Sequence, residues 1–523
     1  MFNSSKYVKS VLLGTCLTSF FTYAQKVEAD KNAPQYVKQI VQKANNESQL
    51  ESLAFELLDV IGPRLVGSPE MMQSHNWVID TYKKWGISAE NQAYGKWKAW
   101  QRGTQTIEMT YPRIKSLEGQ QLAWNPNVKK AVEAEVILMP YFTSEADFKT
   151  WLPKVKGKIV LGSMYQKYGR PNHQLKEHSL AGDYELIVTE KKEAETKWNN
   201  SLKATKLNNK QLHQEIEKAG AAAIVLSYWA GEMGSNRIFS ARTEKIPTID
   251  IALEDYGLLY RLAENGKKPK IKITANSKHL GETKAFNTMA VIPGTEKADE
   301  YVLLSAHLDS WDGSQGACDN GTGTILMMET ARILKEILPN PKRTIIIGHW
   351  GSEEQGLNGS RAYAEDHPEI MKKTVVSFNQ DSGTGRINNI GGQGFIHAYD
   401  YLGKWLQNVP NQITNHISTN FPGTPGSGGT DNAAFVAYGV PAFNLGTQNW
   451  GYGAYTWHTN RDSYDKIMFN EMIRNVITTA ILTYQAAQEE GEISREQRIM
   501  PTDKKKKIQN WPTPKSPNRT GEY

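Results

Sequence analysis

The stretch Tyr301-Val302-Leu303-Leu304-Ser305-Ala306-His307 joins an almost unbroken apolar run to a histidine. Similar runs recur downstream, where residues 344–348 precede an acidic pair and residues 374–379 precede an aspartate. Apolar runs without polar alternation are typical of strands that are buried on both faces of a sheet. Stretches with helical periodicity separate these runs. The alternation predicts an α/β fold, with a mixed, largely parallel sheet flanked by helices.

Six ionisable side chains follow these predicted strands or stand in loops farther along the chain. They are His307, Asp319, Glu353, Glu354, Asp381 and His458. In open sheets of parallel strands, ligands bind in the loops at the carboxyl ends of the strands. We therefore expect these side chains to meet at one edge of the sheet, although the two histidines are far apart in sequence.

The chemistry of these residue types predicts a pair of metal ions. Two dications that lie close together repel each other, so a shared carboxylate is needed, and Asp319 is the candidate bridge. Each ion then takes one imidazole and one further carboxylate, which we assign as His307 with Asp381 and Glu354 with His458. A mixed nitrogen and oxygen set of this kind suits zinc. The sequence predicts two Zn²⁺ as cofactors.

One carboxylate and one neighbouring acid remain outside this ligand set. Glu353 is the predicted catalytic residue, which takes a proton from a metal-bridging water and passes it to a leaving amine. Asp309 stands two positions after His307. We expect Asp309 to accept a hydrogen bond from the second ring nitrogen of His307, as residues behind metal ligands commonly do.

The composition excludes several classes of protein. The chain has 523 residues, of which 39% are hydrophobic and 22% charged, as in ordinary globular proteins. The formal net charge of +6 is small for this length, and part of it lies in four consecutive lysines at residues 504–507. No basic face on a folded element points to nucleic acid. After removal of the predicted signal, Cys318 is the one cysteine left, so no intramolecular disulfide is expected.

The domain organisation follows from changes in pattern along the chain. Residues 1–24 read as a cleaved signal peptide, with lysines before a short apolar stretch that cannot span a bilayer. Residues 34–131 and 276–495 form the predicted catalytic domain. Residues 132–275 read as a β-rich insert, and residues 496–523 as a basic, mobile tail. We expect a secreted or periplasmic protein with no stable membrane span after signal cleavage.

The ligand pattern closely resembles the di-zinc metallopeptidases of family M28. The matching residues are His307, Asp309, Asp319, Glu353, Glu354, Asp381 and His458, together with the segment SGGTDNAAF at residues 427–435. The insert resembles a protease-associated domain, and the two features together resemble the plasma glutamate carboxypeptidase (carboxypeptidase Q) branch. The resemblance implies a zinc aminopeptidase-like fold, a peptide or dipeptide substrate, and a homodimer as one expected assembly.

Two positions depart from the family pattern. Asn320 stands where many members have a second aspartate, but it is not a ligand in our assignment. Trp457 precedes the last histidine, where some relatives have a tyrosine that polarises the scissile carbonyl. An indole can only donate its N–H. Trp450, Tyr455 and Trp457 are the candidate walls of the substrate pocket.

The function predicted from the sequence is an exported zinc exopeptidase that hydrolyses N-terminal residues of peptides, or dipeptides. Three alternatives stay open at this stage. One is a glutamate-type carboxypeptidase, which needs a basic pocket for the terminal carboxylate. Another is a glutaminyl-cyclase-like acyl transferase, which typically holds a single zinc ion. The last is a non-catalytic binding protein on a peptidase scaffold, which would be expected to lose ligands.

Overall fold

A computed structural model describes residues 26–502 and 507–521 of the chain. The predicted signal peptide lies outside the described residues. Within the described ranges, no helix combines the length and the apolarity that crossing a bilayer requires. The structure begins with helices and continues into a long strand. These elements are α1 (Gln35–Asn46), α2 (Leu50–Ala54), α3 (Pro69–Lys84), β1 (Ser88–Tyr111), β2 (Lys115–Ser116), β3 (Gly119–Gln121) and β4 (Val128–Leu138).

The region of the predicted insert combines short strands with helices. Its elements are α4 (Glu145–Trp151), β5 (Ile159–Leu161), α5 (Asn172–His178), α6 (Asp183–Ala204), α7 (Asn209–Lys218), β6 (Ala223–Leu226), β7 (Thr248–Ile251) and α8 (Leu253–Glu264). Strands β4, β5, β6 and β7 pair in parallel, and β3 adds to β7 in the antiparallel sense. The helical content exceeds that of the β-rich module expected from the sequence.

The remaining elements alternate between strand and helix. They are β8 (Lys270–Ile292), β9 (Lys297–His307), α9 (Thr322–Ile337), β10 (Arg343–Trp350), α10 (Asn358–Asp366), α11 (Pro368–Lys373), β11 (Thr374–Asn379), β12 (Ile387–Gly391), α12 (Ala398–Leu406), α13 (Asn411–Thr414), β13 (Ser418–Asn420), α14 (Asn432–Val436), β14 (Ala442–Thr447) and α15 (Phe469–Gln488).

Four parallel strands form the centre of the sheet, in the order β14, β11, β9 and β10. Antiparallel strands flank them, β12 beside β14 and β8 beside β10. All eight residues of β10 are buried, which explains why its central residues 345–348 carry no polar side chain. Helices α9 and α15 pack against each other and contact the sheet. The predicted mixed, largely parallel sheet flanked by helices is confirmed.

The two longest strands connect the catalytic part of the chain with the predicted insert. β1 and β8 pair in the antiparallel sense over most of their length, from Ser88 opposite Val291 to Tyr111 opposite Lys270. β8 also pairs with β10 at one end and with β4 at the other. The predicted domain boundaries at residues 131/132 and 275/276 fall inside β4 and β8. Two apolar clusters separate from the main core lie around the insert, but one of them includes Ile107 and Met109 of β1, and the independence of the insert as a domain stays a prediction.

Two local features differ from the sequence expectation. The charged sequence at about residues 193–218 predicts one helix, but in the structure α6 ends at Ala204 and α7 begins at Asn209. Asn208 caps α7 by accepting a hydrogen bond from the backbone N–H of Gln211, and such a cap favours a new helix start. The tail also contacts the body of the protein in its described part. Trp511 Nε1 donates to Val436 O at 2.9 Å, and Arg519 pairs with Asp366 at 2.8 Å.

Candidate metal centre

The carboxyl ends of adjacent parallel strands bring the predicted site residues together. β9 ends at His307, β10 ends at Trp350, and these two residues are register partners. β11 pairs with the other side of β9 and ends two residues before Asp381. The loops that follow all leave the sheet at the same edge, as expected for ligand-binding loops in open α/β sheets.

Asp319 lies at the centre of the site. It stands in the turn Ala317–Gly321, which leads into helix α9 and is buried. Its Oδ1 atom lies 3.3 Å from His307 Nε2, and its Oδ2 atom lies 3.2 Å from His458 Nε2. The two oxygens of one carboxylate therefore face two different histidines.

Each histidine has a second carboxylate beside it. Asp381 Oδ1 lies 3.4 Å from His307 Nε2, and Glu354 Oε2 lies 2.8 Å from His458 Nε2. Asp319 thus belongs to two groups of ligand-type atoms, one with His307 and Asp381 and one with Glu354 and His458. Within each group, the atoms lie within 4.8 Å of one another. The pairs are those assigned from the sequence.

The contacts of these oxygens fit a cation better than a hydrogen-bond network. Among the described residues, Asp319 Oδ2 and both carboxylate oxygens of Glu354 are buried but make no hydrogen bond of good geometry, even with the nearby ring nitrogen of His458. Buried acceptors without partners are uncommon in folded proteins and require an explanation. Lone pairs of nitrogen and oxygen that converge on one point can bind a metal ion. The residues present therefore fit the predicted metal pair.

Electrostatics in the site favours added positive charge. Burial alone would lower the pKa of His307, but the charges of Asp381 and Glu353 outweigh it and hold that pKa well above its usual value. At His458 burial also acts downward, whereas Glu354 and Asp319 raise the net pKa to about 10. Histidines with such pKa values take up protons readily, because the carboxylates around them need cations.

Several acids around the bridge have raised pKa values, whereas at Asp319 burial is outweighed by the hydrogen bonds and charges of His307 and His458, which lower the pKa. Burial, followed by neighbouring charges, raises the pKa of Glu353 well above its usual value. Burial also raises the pKa of Glu354 and of Asp431 to about 7. Asp431, at the start of α14, was not among the predicted residues. Such crowding of carboxylates costs free energy unless protons or metal ions compensate it.

Asp309 does more than the sequence suggested. Its backbone carbonyl, rather than its carboxylate, makes the hydrogen bond with Nδ1 of His307, at 2.9 Å, while the carboxylate lies 3.5 Å away. The Asp309 carboxylate accepts the backbone N–H groups of Glu353 and Glu354, at 3.1 and 3.3 Å. Asp309 therefore fixes both the ring of His307 and the turn that carries the two glutamates.

Besides Asp431, sequence reasoning missed two more buried charged residues beside the site. The carboxylate of Asp462 accepts the backbone N–H groups of Cys318 and Asp319, at 2.6 and 3.0 Å. Arg64, which is fully buried, donates to the carbonyls of Leu308, Gln315 and Gly316, among others. Asp462 lies four positions after His458 in the same loop, which is a signal that could have identified it. Arg64 lies in a turn far from every ligand in sequence, so no local signal marks it.

The predicted pocket residues do not all share one cavity. Trp450 and Tyr455 line a cavity of about 190 Å³ together with Tyr452 and with Cys318, the residue before Asp319. Trp457 does not line it. Its ring stacks on the His458 ring, with the centroids 3.9 Å apart and the planes 23° from parallel. Trp457 therefore supports a predicted ligand instead of forming the wall of this cavity.

Tyr452 is a further residue of the site that the sequence did not single out. Its ring packs against Gly383, two residues after Asp381. Burial and the charges of Asp319 and Asp381 raise its pKa well above the usual value, so the phenol keeps its proton. A protonated phenol beside the carboxylates can donate a hydrogen bond to a bound carbonyl oxygen.

The first departure from the family pattern, Asn320, has a structural role. Its side-chain nitrogen donates to Gln380 O at 2.8 Å, and its side-chain oxygen accepts the Gly323 N–H at 3.0 Å. An ionised aspartate could accept the second bond but could not donate the first. Asn320 thus ties the turn of Asp319 to the residue before Asp381.

Comparisons with known proteins find similarity to one peptidase family and to solved structures of one fold. Residues 287–482 match the profile described as peptidase family M28. Carboxypeptidase Q of Rattus norvegicus is 26% identical over 450 residues, which cover 84% of this chain and 85% of that protein. Carboxypeptidase Q of Homo sapiens is 26% identical over 468 residues, covering 87% of this chain and 88% of that protein.

Solved structures show the same fold at lower identity. The peptidase M28 precursor from Shewanella amazonensis SB2B superposes with a TM-score of 0.63 at 22% identity, covering 88% of this chain and 97% of that chain. A zinc aminopeptidase from Bacillus subtilis gives a TM-score of 0.53 at 19% identity, covering 86% of this chain and 97% of that chain. At these identities the likeness establishes the fold.

Proposed function

We propose that the chain, whose residues 287–482 match the profile of peptidase family M28, is an exported, zinc-dependent exopeptidase. Its substrates in this proposal are peptides with a free amino end, or dipeptides. One observation carries the proposal. The two oxygens of Asp319 face two histidine–carboxylate pairs, at 3.3 Å from His307 and 3.2 Å from His458. Such a carboxylate can hold two cations at a short distance from each other.

The residues around Asp319 would hold two zinc ions. His307 and Asp381 would bind one ion, Glu354 and His458 the other, and Asp319 both. Zinc bound there would act as a Lewis acid on the scissile carbonyl and would make a water molecule easier to deprotonate. The zinc aminopeptidase neighbour from Bacillus subtilis supports this choice of metal.

Glu353 is the group that we assign to proton transfer. It is not needed as a ligand, and its burial raises its pKa well above the usual value for a glutamate. A carboxylate with a raised pKa can take a proton from water and give it to the leaving amine. Asp309 accepts the Glu353 backbone N–H at 3.1 Å and so holds the turn in place. The charge of the Glu353 carboxylate raises the pKa of His307, which indicates that the carboxylate lies near the predicted metal pair.

His307 is oriented for metal binding, and Tyr452 is placed to contact the substrate carbonyl in this proposal. Because Nδ1 of His307 bonds to Asp309 O, its Nε2 atom presents a lone pair toward Asp319 and Asp381. Tyr452, which stays protonated, is our candidate donor to the scissile carbonyl oxygen, in place of the tyrosine that Trp457 replaces. This hydrogen bond would be worth most as negative charge develops on that oxygen.

The acidic character of the site favours substrates with a free ammonium group. Asp431 is a buried carboxylate near the site that is not a proposed ligand, so its negative potential remains available to a substrate cation. Such a field attracts a positively charged amino end and opposes a terminal carboxylate. The cavity lined by Trp450 and Tyr455, about 190 Å³, has room for one side chain. These features support an aminopeptidase or dipeptidase.

A carboxypeptidase is the second candidate, because the curated relatives bear the name carboxypeptidase Q. One panel of substrates decides between the aminopeptidase and the carboxypeptidase. Purified mature protein would be tested with aminoacyl-anilides, with dipeptides, and with N-blocked peptides that have a free carboxyl end. Cleavage of the first two classes alone agrees with our proposal. Release of the last residue from blocked peptides would reverse it in favour of a carboxypeptidase.

The role of the metal pair is tested by zinc content and by one variant. We expect two zinc ions per chain, loss of activity on chelation, and recovery on adding zinc. Glu353→Gln should retain the zinc, because the residue is not a proposed ligand, and should lower kcat by about 10²- to 10⁴-fold, the usual contribution of a general base. Near-normal turnover of this variant would refute the role of Glu353. A content of one zinc ion per chain would favour the glutaminyl-cyclase-like acyl transferase. A stable protein without hydrolytic activity would favour the non-catalytic binding protein.

Export and assembly are further parts of the proposal. The mass of the mature protein from the secreted or periplasmic fraction should agree with cleavage before Gln25. Retention of residues 1–24 would contradict export through a cleaved signal. The expected homodimer can be checked by light scattering.

A further inference from the structure

The loop that carries His458 is held by a segment of the predicted insert. The clamp segment comprises residues 234–239, and the His458 loop comprises residues 453–461. The backbone N–H of Ile238 donates to the carbonyl of His458 at 2.7 Å. Ile238 also lines the same small space as Asp319, Glu354 and His458. The insert therefore reaches the predicted metal centre directly.

A second set of bonds joins the two segments two residues beyond His458. The backbone N–H of Asn460 donates to Asn236 O at 3.0 Å, and the backbone N–H of Asn236 donates to Asn460 Oδ1 at 2.8 Å. Arg237 and Thr459 pair as in an antiparallel ladder. These ladder contacts, at the His458 carbonyl and at Asn460, restrict the backbone of His458, which has a φ of 54°. Non-glycine residues seldom adopt this left-handed conformation unless the surrounding structure imposes it.

Arg237 makes the side-chain contacts across this junction. Its Nη1 atom donates to Trp457 O at 3.1 Å, and its Nη2 atom donates to Gly453 O at 2.9 Å. The guanidinium also lies over the Trp457 ring, 4.4 Å from the ring centre. Because Trp457 in turn stacks on His458, Arg237 fixes both the backbone and the ring that support the predicted ligand.

The clamp segment is anchored to the sheet of the insert. The side-chain nitrogen of Asn236 donates to Asp250 Oδ2 and to Ile251 O, both at 2.8 Å. Both acceptors lie in β7, and Asn236 and Asp250 are buried. An anchored segment transmits the rigidity of its sheet, whereas a free loop would not.

We propose that the clamp segment positions His458 for metal binding, with Arg237 as its principal positioning residue. The insert is then a structural part of the metal centre. This inference rests on the proposed function only in taking His458 as a zinc ligand. Arg237 is not a proposed ligand and is not proposed to contact the substrate. Its two Nη donors are directed to loop carbonyls.

The experiment compares variants of the full mature chain. Arg237→Ala removes the contacts to Trp457 and Gly453. Arg237→Lys keeps the charge but lacks the planar fork that reaches two carbonyls at once. Arg261→Ala is the matched control, an exposed arginine of α8 in the same insert that contacts Tyr165. Circular dichroism and thermal unfolding confirm that each variant is folded, and Arg237→Lys serves if Arg237→Ala does not fold.

Two readouts are taken, and neither is enzymatic activity. Hydrogen exchange of peptides from residues 453–461 is measured in the zinc-free protein, where Arg237→Ala should exchange about tenfold faster than wild type. Zinc affinity is measured by competition with a chromophoric chelator. One of the two ions should bind about 10- to 100-fold more weakly, as is typical when residues behind metal ligands are lost. Arg237→Lys should fall between, and Arg261→Ala should match wild type.

The outcomes separate this inference from the proposed function. Unchanged exchange in Arg237→Ala overturns the clamp. Faster exchange with unaltered zinc affinity also overturns it, since the ligand would not depend on the loop being held. If the wild-type protein binds no zinc, the proposed function fails, and the exchange readout still decides whether the insert holds the His458 loop.

Discussion

Replacing Asp462 by asparagine tests how the bridging carboxylate is held. The Asp462 carboxylate accepts two backbone N–H groups, from Cys318 at 2.6 Å and from Asp319 at 3.0 Å. It is only 3% exposed, so water does not easily replace it. Asparagine has nearly the same shape but offers one acceptor oxygen, and its NH₂ group would face a second N–H. One buried bond to a charged acceptor is therefore lost.

The size of the effect follows from that single bond. A hydrogen bond to a charged group contributes about 1.5–3 kcal/mol, so we take ~2 kcal/mol for the loss. Since the bond orders the turn that carries Asp319, we expect most of this cost to appear in metal binding. About 1.4 kcal/mol corresponds to a factor of ten, so zinc affinity should fall about 30-fold. Asp462→Ala removes both acceptors and should weaken binding further.

The assay is equilibrium competition for zinc against a chromophoric chelator at about pH 8, because burial raises the pKa of Asp462 to about 7 and the carboxylate must be ionised. The matched control is Asp465→Asn, three residues farther along the same loop, where the side chain is 81% exposed and pairs with Lys466. Exposed pairs contribute little, so the control should stay close to wild type. If Asp462→Asn bound zinc within about twofold of the control, the inferred link between Asp462 and the Asp319 turn would be wrong.

Three further predictions concern other buried groups. Asp309→Ala should lower zinc content and turnover together, because Glu353 and Glu354 both lose the acceptor of their backbone N–H groups; normal zinc content would contradict this. Burial raises the pKa of Asp250 to about 8 in the folded protein, so the folded state keeps this proton at pH values where the unfolded state has lost it. The contribution of Asp250 to the free energy of unfolding is therefore largest at low pH and is lost as the pH rises toward 8. The free energy of unfolding should therefore fall more steeply between pH 5 and pH 8 in wild type than in Asp250→Asn, and equal slopes would refute the assignment. Cys318 is buried with a raised pKa, so iodoacetamide should label it after denaturation but not in the native protein, as checked by mass spectrometry.

The order of strands and helices was largely predictable because it depends on local pattern. Continuous apolar runs mark strands that are buried on both faces, and β9, β10 and β11 appear where those runs stand. Residue chemistry also identified the candidate ligands, since imidazoles and carboxylates at strand ends have few other common reasons to cluster. The break between α6 and α7 was missed, although the capping asparagine at position 208 was a local signal for it.

The sequence by itself determined which chemical groups the site contains, whereas the tertiary structure decided how they meet. No sequence pattern shows that the two oxygens of Asp319 face different histidines, or that Trp457 stacks on His458 instead of lining the cavity beside Tyr455. Nor does any pattern link Arg237 to the His458 loop, because the two segments are more than two hundred residues apart. Contacts of that range depend on how strands pair and how loops pack, which a short window of sequence does not encode.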